Sequence, residues 1–222
     1  MKPGAIVGTV HSPESLRAAR RLARGAVDWL ELRVDHFAAA PEPLLAAASK
    51  LAAPLIVTVR HPAEGGRNAL GFAQRRELYT RFLPRATAID VELRSVRSLP
   101  DVVEQARAGG AGVIVSFHDF CATPSAARLR DVVRRAVAAR ADVIKIAARA
   151  DNCAALQRLL ALFTAKSPRP LSVMAMGRFG KVSRLLFAQA GSVLNYGYLG
   201  AANASGQWPA LEFRKRLAET AA

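Results

Sequence analysis

The stretch DVIKIAARA, residues 142–150, places Lys145 inside a short apolar run. Val143, Ile144, Ile146 and Ala147 make it a continuous β-branched and apolar segment, the signature of a strand covered on both faces of a parallel sheet. Asp151 is the expected cap of a helical run that begins at Asn152. Strand followed by helix is one βα unit. The lysine raises a second question, because burying an ammonium is costly unless it is paired or gives up its proton.

Outward from this unit the same signal recurs. Apolar runs stand at 5–10, 27–34, 54–60, 86–93, 112–118, 142–147, 170–176 and 191–197, and segments of helical periodicity separate them. Ser12 before Pro13 and Thr123 before Pro124 are expected helix starts, and Gly25, Gly109 and Gly110 expected stops. Eight strands, each followed by a helix and ending with a helix at 208–219, predict a (β/α)8 TIM barrel, an α/β fold filling residues 1–222 as one domain. The rival is a doubly wound open sheet. Such a sheet usually carries a glycine-rich phosphate turn after its first strand, and the turn here reads HSPES (11–15).

Composition narrows the class. The chain is 51% hydrophobic, enough for a substantial core, and no apolar run reaches membrane-spanning length. The N-terminal run is too short for a signal peptide, and Cys121 and Cys153 lack CxxC or metal-ligand spacing. A cytoplasmic protein with free thiols is expected. The net charge of +15 is spread over the polar faces of many segments, which favours a solvated surface over a nucleic-acid footprint. Such a field also speeds capture of small anions.

In a (β/α)8 barrel the active site lies at the C-terminal ends of the strands. Alternation sets Glu31, Arg33 and Asp35 on one face at the end of strand 2. Strand 3 ends at Arg60, with Glu64 in the next loop; strand 4 carries Asp90 and Glu92, strand 5 Ser116 and His118, and strand 6 Lys145. An ion network closing the barrel top is the lesser reading for the first three, and Asp90 and Glu92 are read either as supports for Arg33 or Arg60 or as members of the site. His11, His36 and His61 are read as loop or surface residues. No HxH, HExxH or GxSxG spacing occurs, so neither a metal nor a serine elbow is expected. Desolvation and nearby guanidiniums favour a neutral amine at Lys145, a nucleophile toward ketones and aldehydes, with His118 placed to shuttle protons. The arginines point to an anionic substrate, most simply a carboxylate.

The motifs ELRVD (31–35), TVRHPAEGG (58–66), IDVE (89–92), VSFHDF (115–120), IKIA (144–147), MGRFGKVSR (176–184) and ASGQ (204–207) occur in order and at strand ends. Together they resemble the type I 3-dehydroquinate dehydratases of the shikimate pathway. The resemblance implies that Lys145 forms an imine with the ring ketone of 3-dehydroquinate, and that His118 removes the adjacent proton and later protonates the leaving hydroxyl. It implies that Glu64 pairs with His118, that Arg184 binds the carboxylate, and that Glu31, Arg33 and Arg60 hold the ring hydroxyls and the acid group. Asn203 and Gln207 belong to a lid over the substrate; Asp35, Asp90 and Glu92 become supports. It further implies a homodimer, no metal and no cofactor.

The lid departs from the family pattern of Ser or Thr followed by Ala-Pro-Gly-Gln: Asn203 replaces the hydroxyl residue and Ser205 the proline. Without the proline, more entropy is lost on closing. Two other readings stay open. Gly177 and Gly180 after strand 7 suit a phosphate cradle, as in a class I Schiff-base aldolase acting on a sugar phosphate. A non-enzymatic basic barrel that binds nucleic acid is the third, marked by steeply salt-dependent binding.

Overall fold

The computed structural model describes residues 4–202 and 204–220. Among them, eight strands alternate with eight α-helices: β1 Ala5–Val10, α1 Pro13–Arg20, β2 Trp29–Arg33, α2 Glu42–Ala48, β3 Leu55–Thr58, α3 Phe72–Phe82, β4 Ala88–Glu92 and α4 Pro100–Ala108 form the first half. β5 Gly112–Asp119, α5 Ala126–Ala138, β6 Val143–Arg149, α6 Cys153–Thr164, β7 Leu171–Met176, α7 Gly180–Gln189, β8 Leu194–Tyr198 and α8 Ala210–Thr220 form the second. The expected (β/α)8 alternation is therefore present, with strand boundaries shifted by at most three residues.

All neighbouring strands are parallel, in the order β7-β6-β5-β4-β3-β2-β1-β8. β7 and β8, at the two ends of this order, close the barrel through a different set of bonds. The Val193 N–H donates to the Leu171 carbonyl (2.9 Å), the Ser172 hydroxyl to the Leu194 carbonyl (2.6 Å), and the Val173 N–H to the Ser192 hydroxyl (3.1 Å). Two buried serines thus take over from ladder bonds at the seam.

Two apolar layers follow from strand alternation. Outward residues such as Leu30, Leu32, Val57, Ile89 and Val91 pack under the helices with Leu44, Tyr79, Phe82 and Phe187. Inward residues including Val7, Ile56, Ile114, Val143 and Leu194 plug the barrel below its polar end. This plug leaves the C-terminal end of the strands for polar side chains.

Two helix starts differ from expectation. α5 is capped by Ser125, whose hydroxyl accepts from the Arg128 N–H, and not at Thr123, whose hydroxyl donates to the Arg149 carbonyl. α6 is capped by Asn152, because Asp151 is engaged by Arg149 and by the Arg178 N–H. Ser12 caps α1 as expected, through reciprocal bonds with Ser15. Gly109 ends α4, whereas α1 ends before Gly25, which takes a positive φ of 81° in the turn that follows.

The seam serines carry a cost if removed. Ser172→Ala is expected to lower stability by about 1 kcal/mol, read as a lower urea midpoint with an unchanged slope; an unmoved midpoint would show that the seam does not need the hydroxyl.

Candidate active site

The strand ends bring together the ionisable residues expected there. Arg60, just beyond β3, lies 2% exposed at the centre. Its Nη1 and Nη2 reach the two Asp90 carboxylate oxygens at 3.0 and 2.9 Å, and Nη1 also donates to Glu92 Oε1 (3.0 Å) and the Ser116 hydroxyl (2.6 Å). Asp90 lies well below the usual carboxylate range: burial opposes its charge, but Arg60 and then Lys145 outweigh that. Glu92 is bound on its other side by Arg75 (2.6 Å) and the Ser95 hydroxyl (2.7 Å). Beside them, Arg33 makes a two-point pair with Asp35 at 3.0 and 2.9 Å and donates to the Gly65 carbonyl. Asp35 also accepts from the Arg60 and Arg67 backbone N–H groups, which pins the β3 loop to β2.

Lys145 points into this network from β6. Nζ lies 2.9 Å from Asp90 Oδ2 and 3.2 Å from Glu31 Oε1, and 3.7 Å from the centroid of the Tyr196 ring. The sequence reading set guanidiniums beside it; the groups in contact are carboxylates, supplied by β2 and β4. Asp90 is thus no mere support for an arginine, since it touches the lysine directly. Glu31 is further held by the hydroxyls of Thr58 (3.1 Å) and Thr9 (3.3 Å).

His118 and Glu64 pair as expected. Glu64 Oε2 accepts from the His118 backbone N–H (2.9 Å) and lies 3.0 Å from Nδ1, while Oε1 lies 3.6 Å from Arg94. Burial, reinforced by Arg60 and Lys145, holds the imidazole well below its ordinary value, so it is neutral at neutral pH. Burial first, against the pull of Arg60, raises the Glu64 carboxyl to about 7.

Arg184, on α7, is buried and faces no carboxylate among the described residues; it donates to the carbonyls of Gly206 (3.0 Å) and Tyr196 (3.4 Å). Burial alone lowers it to about 10, so it stays cationic and lacks an anion. Arg184, Lys145, His118, Arg33 and Gln207 line one cavity of about 200 Å³.

The lid passes over this cavity. Asn203 lies outside the described residues. The Ser205 hydroxyl accepts from the Gly177 N–H (3.2 Å), and Gly206 lies so close to Gly180 that a Cβ on Gly180 would come 2.5 Å from the Gly206 Cα. The substitution of proline by Ser205 therefore supplies a latch bond that proline has no group to make. Contact with the lid also fills the glycine turn that the aldolase reading assigned to phosphate.

A family model described as Type I 3-dehydroquinase matches residues 6–221. The chain belongs to that family. Among its relatives, the 3-dehydroquinate dehydratase of Methanosarcina barkeri is 32% identical over 97% of this chain and 94% of its own length. That of Latilactobacillus sakei is 38% identical over 84% and 80%. The solved 3-dehydroquinate dehydratase of Geobacillus kaustophilus superposes with a TM-score of 0.88 at 27% identity, covering 100% of this chain and 92% of its own. The type I enzyme of Clostridium difficile superposes with a TM-score of 0.87 at 27% identity, covering 99% and 93%. Deoxyribose phosphate aldolase from Aeropyrum pernix, at 20% identity and a TM-score of 0.64, shares the fold.

For this type I 3-dehydroquinase, sequence reasoning missed Arg75, Tyr196, Met174 and Met176. Arg75 is fully buried, bonded to Glu92, Ser95 and the Val59 carbonyl. Its signal was available: it shares a helical stripe with Leu78, Tyr79 and Phe82, the buried face of α3. His11 and His36 are not simple surface groups, since their rings meet edge to face 5.5 Å apart beside Arg33 and Asp35.

Removing the central cation leaves two buried carboxylates with one cation each, Asp90 with Lys145 and Glu92 with Arg75. Arg60→Met is expected to cost about 3–5 kcal/mol at neutral pH, and the deficit should shrink as the pH falls, because protonation relieves the excess buried negative charge. Denaturant titrations at several pH values read this; a constant small deficit would contradict the compensation scheme.

Proposed function

We propose that this chain dehydrates 3-dehydroquinate to 3-dehydroshikimate through an imine on Lys145. The observation that carries the reading is a buried lysine and a neutral histidine on adjacent strands, in one cavity with an arginine that lacks an anion. Arg184 takes the substrate carboxylate, the charge the site lacks. Arg33, Arg60 and Glu31 engage the ring hydroxyls and the acid group, and Gln207 closes from above. Asp35 and Glu92 hold Arg33 and Arg60.

Attack on the ketone requires Nζ free of its proton; Asp90 and Glu31 are the acceptors in contact with it. The nitrogen adds to the carbonyl carbon and water leaves, giving an imine. The imine draws electrons from the adjacent carbon, so His118 can take a proton there. The resulting enamine expels the β-hydroxyl, which His118 protonates. Hydrolysis of the imine releases the enone and restores the lysine, so the lysine is the electron sink and no diffusible cofactor enters. Glu64 orients the imidazole through Nδ1. The aldolase reading loses its phosphate cradle to the lid contact.

The protein acts as a cytoplasmic homodimer in this reading. Both cysteines are free, and among the described residues no helix is long and apolar enough to cross a membrane. Val182 and Leu186 on α7 and Leu211 on α8 are exposed apolar groups available to a partner copy.

Lys145→Met should lower turnover of 3-dehydroquinate by on the order of a thousandfold or more while the chain stays folded, measured by enone absorbance and circular dichroism. Retained turnover would sink the assignment. The parent kcat/KM should rise with pH through about 7 as Glu64 ionises. Glu64→Gln should remove that limb and lower the plateau by roughly tenfold or more; an unchanged limb would give the titration to another group.

A further inference from the structure

Tyr196 carries a polar atom at the barrel mouth that the fold leaves without a partner. It is 2% exposed and lines the cavity with Lys145 and Arg184. Its hydroxyl is buried and has no hydrogen-bond partner among the described residues. The two other such atoms, His11 Nδ1 and Asp101 Oδ1, belong to residues outside the cavity lining. A buried hydroxyl without a partner costs free energy and needs an account. The ring already has a role, lying against Nζ at 3.7 Å. Phenylalanine would serve that role equally well, without the orphan. The hydroxyl is therefore explained by what enters the cavity.

We infer that Tyr196 is a catalytic residue whose phenol donates a hydrogen bond to the substrate oxygen on the carbon that Lys145 attacks. The inference rests on the imine reading above and deepens it. When Nζ adds, the N–C bond forms, the C=O π pair moves to oxygen, and one proton of the now cationic nitrogen passes to that oxygen, giving the hydroxyl of a carbinolamine. This oxygen is two bonds from Nζ, and Nζ stands over the tyrosine ring, so in this assignment it lies beside the hydroxyl at the ring's edge. The C–O bond then breaks as the nitrogen lone pair forms C=N. The departing oxygen leaves as water with the proton that Nζ gave up before the attack, relayed by His118, which is left neutral for the next step; the phenol remains un-ionised throughout. Burial and the charges of Glu31 and Asp90 keep the phenol protonated far above neutral pH, so it is a donor whenever substrate is present. A donor fixed in a buried position before the reaction stabilises the developing oxygen charge without reorganising.

The test is Tyr196→Phe, assayed with 3-dehydroquinate beside the parent. Because the hydroxyl has no partner in the fold, the melting temperature should hold or rise. kcat/KM should fall by about tenfold, and the single-turnover rate of imine formation, read by borohydride quench, should fall by the same factor. Parent-like imine formation in the variant would overturn the assignment and leave the dehydratase reading standing. A marked loss of stability would also overturn it, by showing that the hydroxyl serves the fold. No turnover by the parent would overturn both readings at once.

Discussion

Arg60 is almost fully buried, where its charge is tolerable only because Asp90 and Glu92 surround it with good geometry. A buried ion pair repays its desolvation only when its remaining donors and acceptors are also met. Here Ser116, Arg75, Ser95 and two backbone N–H groups complete the set. The network joins β2, β3, β4 and β5, so their registry at the barrel top is fixed by charge as well as by ladder bonds. Lys145 extends it to β6 through Asp90. The Lys145 amine is thus seated by the same carboxylate that neutralises the central arginine.

Compensation stops short of Arg184. The other central cations, Arg33, Arg60, Arg75 and Lys145, each contact a carboxylate, whereas this one holds only backbone carbonyls, one of them from the lid. The position of Arg184 and the docking of the lid are therefore parts of one arrangement. Ser205 on Gly177 and Gly206 against Gly180 hold the lid to the β7–α7 turn, which makes the glycines of that turn a docking face.

Much of this was legible in the chain. Glu31 and Arg33 could be set on one inward face because strand alternation has a period of two. Lys145 stood out because an ammonium is foreign to an apolar strand. Its carboxylate partners were less legible, since they lie 114 and 55 residues away and meet it only when the barrel closes. The caps of α5 and α6 moved to Ser125 and Asn152 because tertiary contacts claimed Thr123 and Asp151 first. The Ser172 and Ser192 seam leaves no mark in a local pattern, and Tyr196 reads as one more aromatic in a strand until its hydroxyl is found without a partner.

The central claim is that Lys145 becomes covalently bound to substrate. Borohydride added to protein and 3-dehydroquinate, followed by intact mass and peptide mapping, tests it directly. The account predicts a mass increase that needs both reagents and maps to Lys145. Turnover without a trapped adduct, or an adduct on another lysine, would contradict it.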